Sequence, residues 1–346
     1  MAGLFDDTLL DDEQALAGAD QVLRALAEAG ARVRREAGAA EEAIAEAVSA
    51  ASDDARPRAV VAAGPDSRLL RAVLEPWCPV PFVAWPGPSL PGWAGTLDLV
   101  VVLAPEGGDS GTASAVAEAV RRGCTLVVAC PPHSVVAEHA AGRHTTILPT
   151  ASRDQLATAV VMLEFLDRLD LGPDTDAEAV ATELDHVAIE CSPHKDLSVN
   201  PAKMLAIALA DTVPLVWGGS VLAARAARRV AESIRRSSGR AALAADAEHL
   251  LPVIAAASTR DVFADPFSDN DDGDLRPALV ILDDGSADAS VREQRGRLTV
   301  AAQERVVRVE TVATGAGNEL ARYASLLVTG TYAAAYLGVG LDRPAR

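Results

Sequence analysis

The residues of this sequence best suited to bind a ligand follow an apolar run, Val213-Pro-Leu-Val-Trp217. Gly218 and Gly219 end that run, and Ser220 precedes a helix-forming stretch that carries several arginines. Backbone N–H groups are free at such a helix start, the helix dipole adds positive potential, and glycine lets a phosphate approach the main chain. The pattern predicts a cradle for a phosphorylated small molecule, although an ordinary strand-to-helix turn in an α/β domain has the same pattern.

The elements that would position this turn alternate between strands and helices. Short, continuous apolar runs predict strands, and the stretches between them have helical spacing. Strands that are apolar throughout are typical of parallel sheets covered by helices on both faces. We therefore expect an α/β fold with mostly parallel sheets. The predicted strands span residues 59–63, 80–83, 97–103, 125–129, 146–148, 213–217, 241–243, 278–282 and 306–310.

The chain has 346 residues, which is enough for two domains of ordinary size. The pattern predicts an N-terminal helical segment at 1–53, a first α/β domain at 54–152, a helical linker at 153–199 and a second α/β domain at 200–346. The two α/β halves have a similar plan, which suggests an internal duplication.

Composition excludes several classes of function. The formal net charge of −18 argues against nucleic acid as a partner, because phosphate backbones need a basic surface. No apolar run reaches the ~18–20 residues of a membrane span, and the first residues lack the pattern of a signal peptide. The four cysteines show no CxxC spacing and are expected to be reduced thiols. We expect a cytoplasmic protein without a membrane or nucleic-acid partner.

The sequence also predicts no cofactor and no metal. The turn after the first predicted strand, Gly64-Pro-Asp-Ser67, lacks the GxGxxG pattern of a dinucleotide site. The acidic run at 269–273 is superficially similar to a calcium loop, but its surroundings do not fit an EF-hand. The cysteines and histidines have no zinc-ligand spacing.

Four pieces of the second half form a linked set of motifs. They are Asn200-Pro-Ala-Lys203, Val213-Pro-Leu-Val-Trp-Gly-Gly-Ser220, Ala227-Arg-Arg229, and the C-terminal part from Leu279-Val-Ile-Leu282 through the apolar stretch at 323–337. Together they resemble one family, the bifunctional phosphoglucose/phosphomannose isomerases, which are built from two sugar-isomerase (SIS) domains. The resemblance implies two three-layer α/β/α SIS domains and an aldose–ketose isomerisation of a phosphosugar. That chemistry needs a base to move a proton, an acid for ring opening and a clamp for the phosphate.

The first phosphate loop implied by the resemblance is altered here. The family pattern Ser-Gly-Asn-Thr-x-x-Thr falls on 106–112, where Gly107 and Thr112 match but Glu106 and Asp109 stand in place of hydroxyl residues. The alternative register puts Ser110-Gly111 on the Ser-Gly of the pattern and shifts the following helix by about one turn. A carboxylate ~4 Å from one phosphate charge costs about 4 kcal/mol at an effective dielectric of ~20. Thr112 and Ser67 remain possible contributors to a phosphate site in the first half.

The catalytic residues implied by the resemblance are also incomplete. Asp246 falls on the position of the family's glutamate base and is one methylene shorter. His249 lies about four residues before the position of the catalytic histidine and is either displaced machinery or a surface residue. The family's C-terminal lysine has no counterpart, because no lysine follows Lys203.

These observations leave three hypotheses. The first is an SIS-fold protein that binds a phosphosugar or a related carbohydrate derivative and has weak or lost isomerase activity. The second is an active isomerase of glucose or mannose 6-phosphate that uses Asp246 and His249. The third is a regulatory or interaction protein without a ligand. A homodimer is plausible in each case, because alanine-rich helices can pack closely between subunits.

Overall fold

The computed structural model describes residues 4–51, 56–257, 275–315 and 317–343. The acidic run at 269–273 lies outside these residues. The chain forms two compact units, which we name by their sheets. The five-stranded unit comprises Ala29–Thr182, and the four-stranded unit comprises Met1–Glu28 together with Glu183–Arg346. The domain boundaries expected from the sequence stay a prediction.

The helices and strands alternate along most of the chain, as the apolar runs predict. The helices are α1 Glu13–Gly18, α2 Asp20–Ala27, α3 Ala29–Ala51, α4 Ser67–Leu74, α5 Ser110–Arg122, α6 Val135–His139, α7 Gln155–Arg168, α8 Ala177–Glu190, α9 Pro201–Leu209, α10 Val221–Ser238, α11 Ala247–Ala255, α12 Ala289–Glu304 and α13 Glu319–Gly340. The strands are β1 Val60–Ala63, β2 Phe82–Trp85, β3 Leu99–Leu103, β4 Thr125–Cys130, β5 Thr145–Pro149, β6 Thr212–Gly218, β7 Leu243–Ala244, β8 Arg276–Asp283 and β9 Arg308–Ala313.

Both sheets are parallel, which confirms the predicted α/β class. The strand order is β2-β1-β3-β4-β5 in one unit and β7-β6-β8-β9 in the other. Every pairing found in them is parallel, for example Val60↔Leu99 in the first sheet and Leu215↔Leu279 in the second. The central strands are buried along nearly their whole length, because helices cover both faces of each sheet.

Local signals fix the ends of several helices. Asp154 accepts hydrogen bonds from two backbone N–H groups at the start of α7, and Ser220 caps α10 by accepting one, from the Ala223 N–H. Gly123 and Gly239 end α5 and α10 in left-handed conformations, with φ of 69° and 65°. Because each cap fixes where a helix begins or ends, these residues set the loops that follow the strands.

In the four-stranded unit, α13 is an apolar helix that packs on α10 and α9 and is buried along most of its length. The first residues of the chain pack on it too, since the Asp6 amide donates to the Gly340 carbonyl at 2.8 Å. Across the described residues, no helix combines the length and apolarity needed to cross a bilayer.

Candidate functional site

The order of strands in the four-stranded sheet defines one crevice. The chain leaves β6 toward β7 on one side and leaves β8 toward β9 on the other, so the loops after β6 and β8 diverge. In open parallel sheets such a switch point, at the carboxyl ends of the strands, is the usual place for a ligand. The loops that border this crevice contain Gly219 and Ser220 on one side and Asp284 and Gly285 on the other.

The two glycines before α10 are required by packing. A Cβ added to Gly218 would overlap the backbone of Ala223 in the first turn of α10. A Cβ on Gly219 would overlap Val291 and approach the ring of Trp217. Because close helix–strand and side-chain contacts account for both glycines, their presence does not by itself indicate a ligand.

Ser220 places a hydroxyl at the crevice. Its Oγ accepts a hydrogen bond from the Ala223 N–H at 3.0 Å and donates to the Oδ2 of Asp284. The helix start that the sequence suggested for a phosphate therefore already holds a carboxylate of the chain. A carboxylate is favourable there because the N-terminus of a helix attracts negative charge.

Two arginines of the same unit add positive charge near this crevice. Arg322 Nη1 donates to the backbone carbonyl of Asp284 at 2.9 Å, and Arg225 hydrogen-bonds Tyr323, the residue that follows Arg322. The Nε atoms of both arginines are buried and have no hydrogen-bond partner in the described part of the chain. Burial raises the pKa of the Tyr323 hydroxyl, which the charge and hydrogen bond of Arg225 partly offset, so this tyrosine stays neutral.

The predicted catalytic pair lies on the neighbouring loop. Asp246 follows β7 and precedes the first residue of α11, and its side chain makes no capping hydrogen bond. His249 is on the first turn of the same helix, and both side chains are exposed. The contact between them is through the backbone, from the His249 N–H to the Asp246 carbonyl at 3.0 Å. Asp246 thus reaches the carboxyl edge of the sheet, but no acid–base pair is assembled with His249.

The five-stranded sheet has a corresponding crevice between β1 and β3. Ser67 is the first residue of α4, is fully buried, and has a hydroxyl without a partner in the described part of the chain. Gly64, at φ 87°, lies so close to Thr112 that an added Cβ would be 3.0 Å from its Oγ1. The structure therefore brings the predicted residues Ser67 and Thr112 to loops that meet at one crevice.

A carboxylate of the chain accepts the hydrogen bonds that Thr112 could donate to a ligand at this crevice. Asp109 is the N-cap of α5, and its Oδ2 accepts hydrogen bonds from the backbone N–H of Thr112 at 2.6 Å and from its hydroxyl at 2.7 Å. Glu106 is exposed, with its nearest cation the guanidinium of Arg153 at 3.9 Å. The two donors that Thr112 could offer to a phosphate are therefore already used.

Lys203 is held by hydrogen bonds in the interior of the four-stranded unit. Asn200 caps α9 by accepting from the N–H groups of Ala202 and Lys203, each at 3.0 Å. The Lys203 ammonium is fully buried and donates to Asp11 at 2.6 Å and to the carbonyls of Pro193 and Lys195 at 2.9 and 3.1 Å. A lysine held by three acceptors has no proton or charge to offer to a ligand.

Sequence reasoning missed Asp284 and Arg322. The acidic pair Asp283-Asp284, directly after the strongly predicted strand from Ala278 to Leu282, was a signal for Asp284. The position of Arg322 depends on the packing of α13, which no local pattern indicates.

Comparisons with known proteins agree with this fold. Residues 198–343 match the family model of the bacterial phospho-glucose isomerase C-terminal SIS domain. No curated protein matches the chain. The resemblance that the sequence motifs indicated is thereby confirmed for residues 198–343, which carry the four-stranded sheet.

Solved structures show the same fold over most of the chain. Tagatose-6-phosphate ketose/aldose isomerase from Escherichia coli is 11% identical with a TM-score of 0.68, and covers 94% of this chain and 95% of its own. A glucose-6-phosphate isomerase like protein from Thermus thermophilus is 17% identical with a TM-score of 0.51, and covers 83% and 82%. The C-terminal domain of glucosamine-fructose-6-phosphate aminotransferase from Francisella tularensis is 11% identical with a TM-score of 0.58, and covers 90% and 95%. The chain therefore has the fold of SIS phosphosugar isomerases.

Proposed function

We propose that this protein binds a phosphosugar or a related anionic carbohydrate derivative at the switch point of its four-stranded sheet, with isomerase activity weak or lost. Ser220 and the N–H groups at the start of α10 bind the anionic group, and Arg322 and Arg225 supply positive charge. The observation that carries this proposal is the hydrogen bond between Ser220 and Asp284, since it shows a helix start with a hydroxyl donor already holding an anion.

Asp284 also limits the affinity. If it stays ~4 Å from a bound phosphate, repulsion costs about 4 kcal/mol at an effective dielectric of ~20. A ligand must displace this carboxylate from Ser220. We therefore expect modest affinity in the native protein and tighter binding once the charge of Asp284 is removed.

The positions of three sets of side chains support the proposal that isomerase activity is weak or lost. Asp109 takes the donors of Thr112 in the five-stranded unit. Asp246 and His249 are exposed and make no side-chain contact with each other in the described part of the chain. The ammonium of Lys203 is buried and donates to Asp11. General acid–base catalysis needs groups held within hydrogen-bond reach of the moving proton, which these placements do not provide.

Isothermal titration with glucose 6-phosphate, mannose 6-phosphate and fructose 6-phosphate, beside a coupled isomerase assay, tests the proposal on the full chain. We expect Asp284→Asn to tighten binding and Arg322→Gln to weaken it. Arg297→Gln is the matched control, because Arg297 is an exposed residue of α12 paired with Glu248. Turnover that Asp246→Asn abolishes would instead establish the active isomerase.

An interaction protein without a ligand is the second candidate. It is favoured by the internal carboxylates Asp109 and Asp284, which occupy the donors of both crevices. Binding to the native state must raise the thermal midpoint, so phosphosugars that leave the midpoint unchanged in both the native protein and the Asp284→Asn variant would support this candidate.

A further inference from the structure

The strand β9 leaves one edge of the four-stranded sheet open. It is the last strand in the order β7-β6-β8-β9, and among the described residues it pairs only with β8. Within the described ranges, no hydrogen bond joins the main-chain groups of its outer edge to another part of the chain. Such an edge is a ready template for a further β-strand.

A groove of about 500 Å³ runs along this edge, within the four-stranded unit. One wall consists of β9 and the residue after it, Glu310 through Thr314. The facing wall is α8 with the start of α9, and Ser325 and Thr329 of α13 also line it. An edge strand facing a helix across a groove is the arrangement in which domains bind an extended peptide as an added strand.

The groove has an apolar part that suits alternate side chains of such a peptide. Val187 of α8, Met204 and Leu205 of α9 and Val312 of β9 line it. Met204 is 51% exposed, so its side chain can contact an occupant of the groove. Methionine adapts to different partners because its side chain is flexible and polarizable.

The charge of the groove is acidic. Glu183, Glu190 and Glu310 line it, together with His186, and the described residues that line it include no lysine or arginine. Lys195 pairs with Glu190 and Arg308 with Glu310 outside the groove, while the carboxylates stay partly exposed. Charge complementarity therefore selects a basic occupant. A second copy of this chain is disfavoured, because pairing two β9 edges would bring acidic walls together on a protein of net charge −18.

We propose that β9 and the acidic groove bind an extended, basic segment of a partner protein by β-strand addition. Main-chain hydrogen bonds to β9 provide the affinity. The glutamates select basic side chains of the partner segment, and Met204 and Val312 contact its apolar side chains. None of the residues that line this groove binds the anion in the proposed ligand site at Ser220, so the inference does not depend on that site.

The probe is a fluorescent peptide of about six residues, the usual length of a strand, in which lysine alternates with valine. We expect saturable binding to the full chain by fluorescence anisotropy, and slower amide hydrogen exchange of residues 308–314 by mass spectrometry. A peptide with the same side chains but N-methylated at every amide keeps the charge and has no N–H group to donate to a strand on either edge. Equal binding of this methylated peptide would overturn strand addition.

Charge is tested on the protein side. The double variant Glu183→Gln with Glu190→Gln should weaken the lysine–valine peptide about tenfold, as expected for two partly exposed ion pairs. Glu293→Gln with Glu304→Gln on α12, outside the groove, is the matched control and should bind as the native protein does. Equal weakening in both variants would show unspecific attraction and overturn the proposal. A dimer in sedimentation whose formation protects residues 308–314 would show that a second copy takes the groove, and would also overturn it.

Discussion

Replacing Lys203 by methionine should destabilise the four-stranded unit. The substitution keeps the length and apolar stem of the side chain but removes the buried ammonium, which makes three hydrogen bonds. Asp11 can regain water because its side chain is 54% exposed, whereas the carbonyls of Pro193 and Lys195 lose their charged donor. A hydrogen bond to a charged group contributes about 1.5–3 kcal/mol, and part of that is offset by the cost of burying the ammonium. We expect a loss of about 3 kcal/mol in the free energy of unfolding.

Urea unfolding followed by the fluorescence of Trp217 measures this loss. Trp217 is the only tryptophan of the four-stranded unit, and the other three, at positions 77, 85 and 93, are partly exposed in the five-stranded unit and can be replaced by phenylalanine. Lys195→Met is the matched control, since Lys195 makes a surface pair with Glu190 and should change stability by less than about 1 kcal/mol. A Lys203→Met variant as stable as this control would refute the reasoning.

Two further predictions concern packing and burial. Gly218→Ala should lower the free energy of unfolding in urea by about 3 kcal/mol, because the added Cβ overlaps the backbone at Ala223. Gly296→Ala, in open space on α12, should raise it by up to ~1 kcal/mol. Similar values for the two variants would contradict the packing argument. Burial raises the pKa of the Glu164 carboxyl, so this group resists ionisation in the folded protein. Its ionisation lowers the free energy of unfolding. That loss is absent below the pKa of the unfolded state and complete above the pKa of the folded state. Glu164→Gln should therefore raise the free energy of unfolding at pH 7 by a small amount, under ~1 kcal/mol after solvent screening, and change nothing near pH 3; an equal gain at both pH values in urea unfolding would contradict it.

The apolar runs predicted the central strands well because burial on both faces leaves a continuous signal. The predicted strand at 97–103 contains β3, which begins two residues later, and the predicted strand at 278–282 lies inside β8. The edge strand β9 was placed two to three residues too early, at 306–310. Val306 is apolar but follows the end of α12 with a φ of 54°, and the residues of β9 are mostly polar or half-exposed because only one edge of the strand is paired. The edge strand β7, Leu243–Ala244, was predicted at 241–243, because its exposed and half-buried residues also give a weak apolar signal.

The candidate site was only partly predictable. Ser220 and Ser67 could be placed at helix starts, since a small polar residue after an apolar run is a cap signal. The hydrogen bond from Ser220 to Asp284 joins residues 64 positions apart, and it depends on β6 and β8 being neighbours. Strand order is set by the packing of the whole sheet, so neither Asp284 nor Arg322 could be assigned to the crevice from local sequence.

The four-stranded unit is assembled from the first 28 residues and from residues after 182. During synthesis the five-stranded unit has all of its residues when the ribosome has completed residue 182, while α1 and α2 still lack the helices on which they pack. Domains fold as units during translation, and contacts between distant residues form slowly because long loops must close first. The bond from Asp11 to Lys203 spans 192 residues. The early helices therefore cannot make their native contacts until α9 and α13 have left the ribosome, so the four-stranded unit is completed only after synthesis of its C-terminal helix.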